Sequence, residues 1–165
     1  MPGPATRAAI VLAGGRADDA LAVGGAVPSK ALLPIGGEPM AVYVLAAVRD
    51  CPAIDWTVLV GPQHASLDGW YDVCVPGGSR LVDSLSLGLG AALAAGAEEY
   101  LIITADVPWV DGPILTRFLD AARAREHAAA DLVYAVVEKA TATAAFPGQE
   151  RTFVTLTDGR FTGGN

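Results

Sequence analysis

Short apolar runs, each closed by glycine or proline and separated by helical segments, set the strongest limit on how this chain can fold. AAIVLA at 8–13 ends in Gly14-Gly15, WTVLV at 56–60 in Gly61-Pro62, and YDVCV at 71–75 in Pro76-Gly77-Gly78. YLIIT at 100–104 is continuously apolar, the type of strand buried on both faces of a parallel sheet. DLVYAVV at 131–137 reads as a further strand. Between them, PMAVYVLAAVRD predicts a helix from about 39 to 50, with Pro39 in its first turn, where a missing N–H costs nothing. Leu81, Leu85, Leu89 and Leu93 fall four apart, one stripe of a helix. Ile114, Leu115, Phe118, Leu119 and Ala122 form a second stripe behind Pro113. Such alternation predicts an α/β fold, a three-layer α/β/α sandwich on a mostly parallel, Rossmann-like sheet.

Beyond Ala140 the pattern changes. RTFVTL at 151–156 alternates and Asp158-Gly159 is a hairpin signal, so an antiparallel element is expected there. The stretches 62–70 and 138–150 read as the loosest. The 165 residues suit one domain, 1–165, and TGGN at 162–165 reads as a cut-off end.

Composition narrows the class of function. Apolar residues make up 52% of the chain, which argues against disorder. No apolar run approaches the roughly 20 residues of a membrane helix. MPGPATRAAIVLAGG reads as a first strand, not a signal peptide. Cys51 and Cys74 lie far apart without a C-x-x-C, which suits free thiols in a cytoplasmic protein. The net charge of −7 speaks against nucleic-acid polymers. A small anion is still admissible, because local cations and backbone N–H groups can hold one. A homodimer is left open.

In open α/β sheets, ligands bind outside the carboxyl ends of the strands. Three loops in this chain follow strands and carry glycine or charge: Gly14-Gly15-Arg16, Gly77-Gly78-Ser79-Arg80, and Asp106-Val107-Pro108. Gly14-Gly15 can expose consecutive N–H groups to an anion, or be a plain tight turn. It matches neither G-x-G-x-x-G nor G-x-x-x-x-G-K-[ST]. Lys30, in PSKALLPIGGEP, can lay its stem along apolar surface and deliver one ammonium to a cleft. Arg80, Asp83 and Ser84 fall in the first turns of a helix, near its positive end. A carboxylate at Asp106 suits Mg²⁺, which takes one or two carboxylates plus substrate phosphates. The other reading of Asp106 is a helix cap ahead of Pro113 or a plain turn residue. His64 and His127 have no partners at metal-ligand spacing and read as surface residues. No Ser-His-Asp or Cys-His nucleophile is supported.

The order LAGG, K-A-L-L-P-I-G-G-E-P-M, a glycine-led S-L-x-x-G-L helix, and an Asp after an apolar strand resembles the NTP-transferase family. That family includes molybdenum cofactor guanylyltransferase-like proteins, sugar-phosphate nucleotidyltransferases and methylerythritol phosphate cytidylyltransferase. The resemblance covers Ala8 to about Pro113 well and the remainder more weakly. GGSRLVDSLSLGL is similar to the base loop of the cytidylyltransferases. The resemblance implies the sheet of the nucleotide-diphospho-sugar transferases and transfer of NMP from a nucleoside triphosphate to a phosphorylated small-molecule acceptor. It implies that Leu12, Ala13, Gly14 and Gly15 line the nucleotide and that Lys30 meets its phosphates. Gly77, Gly78, Arg80 and Ser84 would approach the base, and Asp106 would hold Mg²⁺, with Asn165 as a second metal ligand. Where family members continue LAGG with a second glycine and an arginine, this chain reads R-A-D-D-A, with Gly24-Gly25 later in a longer loop. Either Arg16 replaces the missing cation or the grip on the phosphates is weak. Lys30 also follows a serine where many members have proline. Two other classes remain open: a nucleotide-binding regulatory or interaction protein without turnover, and a glycosyltransferase, which would usually show D-x-D where this chain has T-A-D-V-P.

Overall fold

Every residue of RAAIVL, the first strand, is buried. A strand without an exposed face needs neighbours on both edges and cover on both sides. The computed structural model, which describes residues 7–15, 27, 29–124 and 129–163, supplies both. The expectations for Arg16, Gly24-Gly25, His127 and Asn165 lie outside the described residues.

The chain divides into two compact units, Met1–Leu119 and Asp120–Asn165. In order, the first carries β1 (Arg7–Leu12), a 3-10 turn (Lys30–Leu32), β2 (Pro34–Ile35), β3 (Glu38–Pro39), α1 (Met40–Arg49) and β4 (Trp56–Val60). A second 3-10 turn (Ala65–Leu67), β5 (Val73–Val75), α2 (Leu81–Ala94), β6 (Glu99–Thr104) and the start of α3 (Gly112–Ala122) follow. Four parallel strands form a sheet in the order β5-β4-β1-β6. On one face Ala9 and Val11 pack in a cluster with Val44, Leu45 and Val48 of α1 and Leu115 and Leu119 of α3. On the other, Ala8, Ile10, Val58 and Val60 pack with Ala92 of α2. This is the three-layer α/β/α arrangement expected from the alternating elements. No helix among the described residues is long and apolar enough to cross a membrane.

Two expectations need correction. The leucine stripe of α2 is not its line of contact with the sheet, although Leu89 packs at the margin of that contact. The buried residues of that helix are Ser84, Gly88 and Ala92, while Leu81 is 68% and Leu93 66% exposed. The reason is distance: a Cβ on Gly88 would lie 2.5 Å from Ile10 Cγ2 and 2.8 Å from Val60 Cγ2. A helix this close to a sheet tolerates only small residues along its line of contact. The second correction concerns YLIIT, which is not buried on both faces. It belongs to β6, an edge strand, and Ile102 is 40% exposed. Helix α2 lies over β4, β1 and β5, so on that side β6 is only partly covered, through Tyr100, while Leu101 on the other face is buried.

Loops that read as loose carry order of their own. Within 62–70, Leu67 is fully buried beneath the second 3-10 turn. Pro39 sits at the N-cap of α1, one position before the first turn. Both cysteines are free. Burial pushes the Cys74 thiol up, and burial with the hydrogen bond to Asp68 pushes Tyr71 up to about 12, so neither group ionises near neutrality.

The second unit contains β7 (Val136–Glu138), α4 (Lys139–Ala145), β8 (Val154–Leu156) and β9 (Gly159–Gly163). Its strands form an antiparallel sheet in the order β7-β9-β8. The expected strand at 131–137 is pared down to β7, and helix α4 occupies part of the stretch read as loose. Leu156 pairs with Gly159, so the hairpin turn is Thr157-Asp158, one residue earlier than the Asp-Gly signal suggests. Gly159 opens β9 at φ +150.

The contrast along α2 is directly testable. Gly88→Val should lower stability by about 1–3 kcal/mol, the cost of overpacking. Leu93→Gln should stay within about 0.5 kcal/mol of the parent, as an exposed substitution does. Urea unfolding of both variants checks the assignment; a Leu93→Gln loss as large as that of Gly88→Val would contradict it.

Candidate functional site

Parallel register brings three strand ends to one level. Leu12 pairs with Val60 on one side and Thr104 on the other. The chain leaving those ends surrounds a cleft of about 390 Å³. Its walls are Leu12, Ala13, Gly14 and Gly15 after β1, Lys30 and Ala31 of the first 3-10 turn, Gly78 to Leu81 with Ser84 at the start of α2, and Thr104 to Asp106 after β6. The structure therefore brings together Leu12, Ala13, Gly14, Gly15, Lys30, Gly78, Arg80, Ser84 and Asp106. Gly77 stands behind the wall: a Cβ on it would lie 3.5 Å from Gly14 Cα.

Lys30 owes its position to the residue before it. Ser29 is 3% exposed, and its hydroxyl oxygen lies 2.6 Å from Ala13 O and 3.0 Å from Gly15 O, to which it donates. The same oxygen accepts from the Ala31 amide at 3.2 Å, capping the 3-10 turn. The Lys30 amide itself donates to Gly15 O at 2.9 Å. The lysine turn is thus stapled to the glycine loop, although 15 positions separate them in sequence.

The opposite wall is held by the start of α2. Gly78 donates its amide to Ser84 Oγ at 3.0 Å, and Ser84 is 6% exposed. Asp83 accepts from the Arg80 amide, the Ser79 hydroxyl and two nitrogens of the Arg80 guanidinium. These bonds, led by the Arg80 guanidinium, hold the Asp83 carboxyl below the usual carboxylate range. The arginine is pushed up in turn by the same partner. A Cβ on Gly78 would sit 2.4 Å from Asp83 Cβ, so this glycine is required by the protein's own packing. Ser84, expected to approach the base, has its oxygen committed to the loop.

Asp106 is exposed at the cleft, and among the described residues it has no hydrogen-bond partner. It is not the cap of α3. That part falls to Asp111, whose Oδ1 accepts from the Ile114 amide at 2.7 Å. Among the described residues no three His, Cys, Asp or Glu side chains converge as a metal cluster, and Asp106 is the one carboxylate among the residues lining the cleft. Sequence reasoning missed Ser29 and Thr104. Ser29 showed only as a departure from proline. Thr104, at the end of β6, carried no signal beyond closing an apolar run.

Ser29→Ala removes the staple and leaves Ala13 O without its hydroxyl donor. Stability should fall by about 1–3 kcal/mol, the cost of an unsatisfied buried acceptor. Thermal unfolding measures this, and an unchanged midpoint would show that the staple is dispensable.

Residues 9–158 match the MobA-like NTP transferase domain. Over 73 residues the chain is 36% identical to a phosphoenolpyruvate guanylyltransferase of Sphaerobacter thermophilus, covering 41% of this chain and 35% of that protein. Over 92 residues it is 32% identical to a 2-C-methyl-D-erythritol 4-phosphate cytidylyltransferase of Clostridium botulinum, covering 56% of this chain and 36% of that protein. The structure of a hypothetical transferase from Thermus thermophilus aligns with a TM-score of 0.76 at 34% identity, covering 97% of this chain and 63% of that one. The matched segments thus span 35% and 36% of the curated relatives' length. With the family match running through both units, from the first strand to the hairpin turn of the second, the chain belongs to the MobA-like NTP transferases.

Proposed function

We propose that the cleft binds a nucleoside triphosphate and transfers its nucleoside monophosphate to a phosphorylated small-molecule acceptor, with release of pyrophosphate. The observation that carries this reading is Gly15. Its φ is not positive, so the backbone does not demand glycine there. No protein atom lies within 4 Å of a Cβ built on it, so packing does not demand glycine either. A Cβ at Gly14 would make only ordinary contacts, at 3.7 Å. What glycine at 15 leaves open is the cleft itself, where a ligand can approach the main chain.

The chemistry follows from the walls. Backbone N–H groups at Gly14 and Gly15 and the ammonium of Lys30 would hold phosphate oxygens. The acceptor's phosphate oxygen attacks the α-phosphorus; the new O–P bond forms as the bond to the β-phosphate oxygen breaks, and that oxygen leaves with pyrophosphate. The nucleophile is already an anion, so no protein base is required. Positioning and charge neutralisation carry such a transfer. Lys30 would stabilise charge that accumulates on the α-phosphoryl group. Asp106 fits Mg²⁺, since a single unpartnered carboxylate beside substrate phosphates is an ordinary magnesium donor set. Bound there, the ion would supply neutralisation of phosphate charge. The two curated relatives are named for a guanylyl and a cytidylyl transfer, each to a phosphorylated acceptor, and this supports the same class for the chain.

The test is a pyrophosphate-release panel: ATP, GTP, CTP and UTP with Mg²⁺, against phosphorylated acceptors that include phosphoenolpyruvate and methylerythritol 4-phosphate. One triphosphate should support release. Nucleotide binding without release from any pair would instead identify a regulatory binder.

Three variants probe the walls. Gly15→Val should leave the unfolding midpoint unchanged and lower nucleotide affinity at least about tenfold, the loss expected from a blocked phosphate contact. Lys30→Ala should cost about 1.5–3 kcal/mol of binding or transition-state stabilisation, read by calorimetry and by turnover. Asp106→Asn should abolish magnesium-dependent turnover yet keep or tighten nucleotide binding without metal, because a carboxylate beside a triphosphate repels it when no cation is present. If Mg²⁺ changes nucleotide affinity equally in the parent and in Asp106→Asn, the metal assignment fails.

A further inference from the structure

Thr104 ends β6 at the level of Leu12, is half-buried, and lines the cleft. Among the described residues its hydroxyl has no hydrogen-bond partner. Its place in the strand decides what that hydroxyl can meet. Strand residues alternate between faces, so Thr104 shares the face of Tyr100, which packs with Leu12 in the cluster under α2. The turn that carries Lys30 packs through Ala31 and Leu32 into the cluster on the opposite face of the sheet. The cleft therefore has two sides. On one lie Lys30 and the glycine loop, to which Ser29 fastens the lysine turn. On the other lie Leu12, Thr104 and the start of α2, Ser79 to Leu81 with Ser84.

The α2 side offers a ligand little charge. Its cation, Arg80, is paired with Asp83 at 2.9 Å, and Asp83 also accepts from the Ser79 hydroxyl. Ser84 Oγ accepts from the Gly78 amide. Leu12 and Leu81 add apolar surface. Of the polar side chains on that side, only Thr104 has no partner among the described residues. A threonine hydroxyl both donates and accepts. In uncharged surroundings its complement is another neutral hydroxyl, and leaving it unpaired beneath a ligand costs binding energy. A nucleoside triphosphate with its phosphates on the Lys30 side turns its uncharged sugar toward the α2 side.

We propose that Thr104 recognises a ribose hydroxyl of the nucleotide and makes the cleft select its substrate by the sugar. The assignment rests on the nucleotide reading above. It adds the part of the substrate that Gly15, Lys30 and Asp106 do not touch.

Calorimetric titrations with Mg²⁺ and without acceptor test it, using ATP, GTP, CTP and UTP, each beside its 2′,3′-dideoxy counterpart. The parent should bind the triphosphate it accepts about tenfold more tightly than the dideoxy form, as a site built to pair a hydroxyl disfavours the analogue that lacks it. Thr104→Val keeps the shape and removes the hydroxyl; it should abolish that preference and retain the unfolding midpoint. Thr104→Ser keeps the hydroxyl and should keep the preference. Equal affinity of the parent for ribose and dideoxy forms would overturn the assignment and leave the nucleotide reading intact. So would a Thr104→Val variant that weakens both forms alike, which would put the hydroxyl on a phosphate or on the magnesium shell. Loss of the preference in Thr104→Ser would contradict it as well. Binding of no nucleotide by the parent would overturn the nucleotide reading itself, and this assignment with it.

Discussion

The first unit depends on β1 being buried from end to end between two parallel neighbours. At its start, Arg7 places a cation in the interior, which is tolerable only if the charge is paired and hydrogen-bonded. The Arg7 guanidinium meets Glu99 and donates to Ala53 O at 2.8 Å, and the Arg7 amide donates to Asp55 at 3.0 Å. At its far end, Ala13 donates to Val60 O at 2.7 Å and Ala105 donates to Leu12 O at 2.9 Å. Three strands are thereby tied off at one level. The chain leaving them has to pass over the same edge of the sheet, and the cleft lies there.

Glycines at this edge have different physical causes. A Cβ on Gly61 would lie 2.8 Å from Ala13 Cβ, and one on Gly78 would collide with Asp83, so these positions are dictated by protein against protein. Gly14 and Gly15 meet no such limit. A Cβ at Gly14 would make only ordinary contacts and one at Gly15 would meet no protein atom within 4 Å. The walls on either side are fastened by short polar contacts, Ser29 to the glycine loop and Ser84 to Gly78, which hold the cleft's shape before any ligand arrives. Such preorganisation suits a transfer that relies on positioning rather than covalent catalysis.

The three loops of the cleft were legible because each directly follows an apolar run, and a parallel sheet puts all such junctions at one edge. Lys30 was legible as an ion in an apolar setting, and Asp106 as an acid directly after an apolar run. Ser29 was not, since nothing in the letters P-S-K says that a serine hydroxyl reaches back across a long loop to Ala13. The α2 leucines misled for a related reason. Their four-residue spacing is that of a buried stripe, yet Gly88 and Ala92 on the neighbouring face allow a closer approach to Ile10 and Val60 than leucine would.

By itself, then, the sequence determined the periodicities of the first unit: where most of its strands and helices lie, that its sheet is mostly parallel, and that glycine, lysine and aspartate meet at its carboxyl edge. These follow from local chain geometry and from the burial of apolar runs, which each segment expresses alone. Tertiary structure decided which face of α2 is buried, that β6 is an edge strand with Ile102 exposed, and which polar groups hold Lys30 and the base of α2 in place. Those outcomes depend on the distance between layers and on hydrogen bonds between residues far apart in the chain, quantities that no single segment contains.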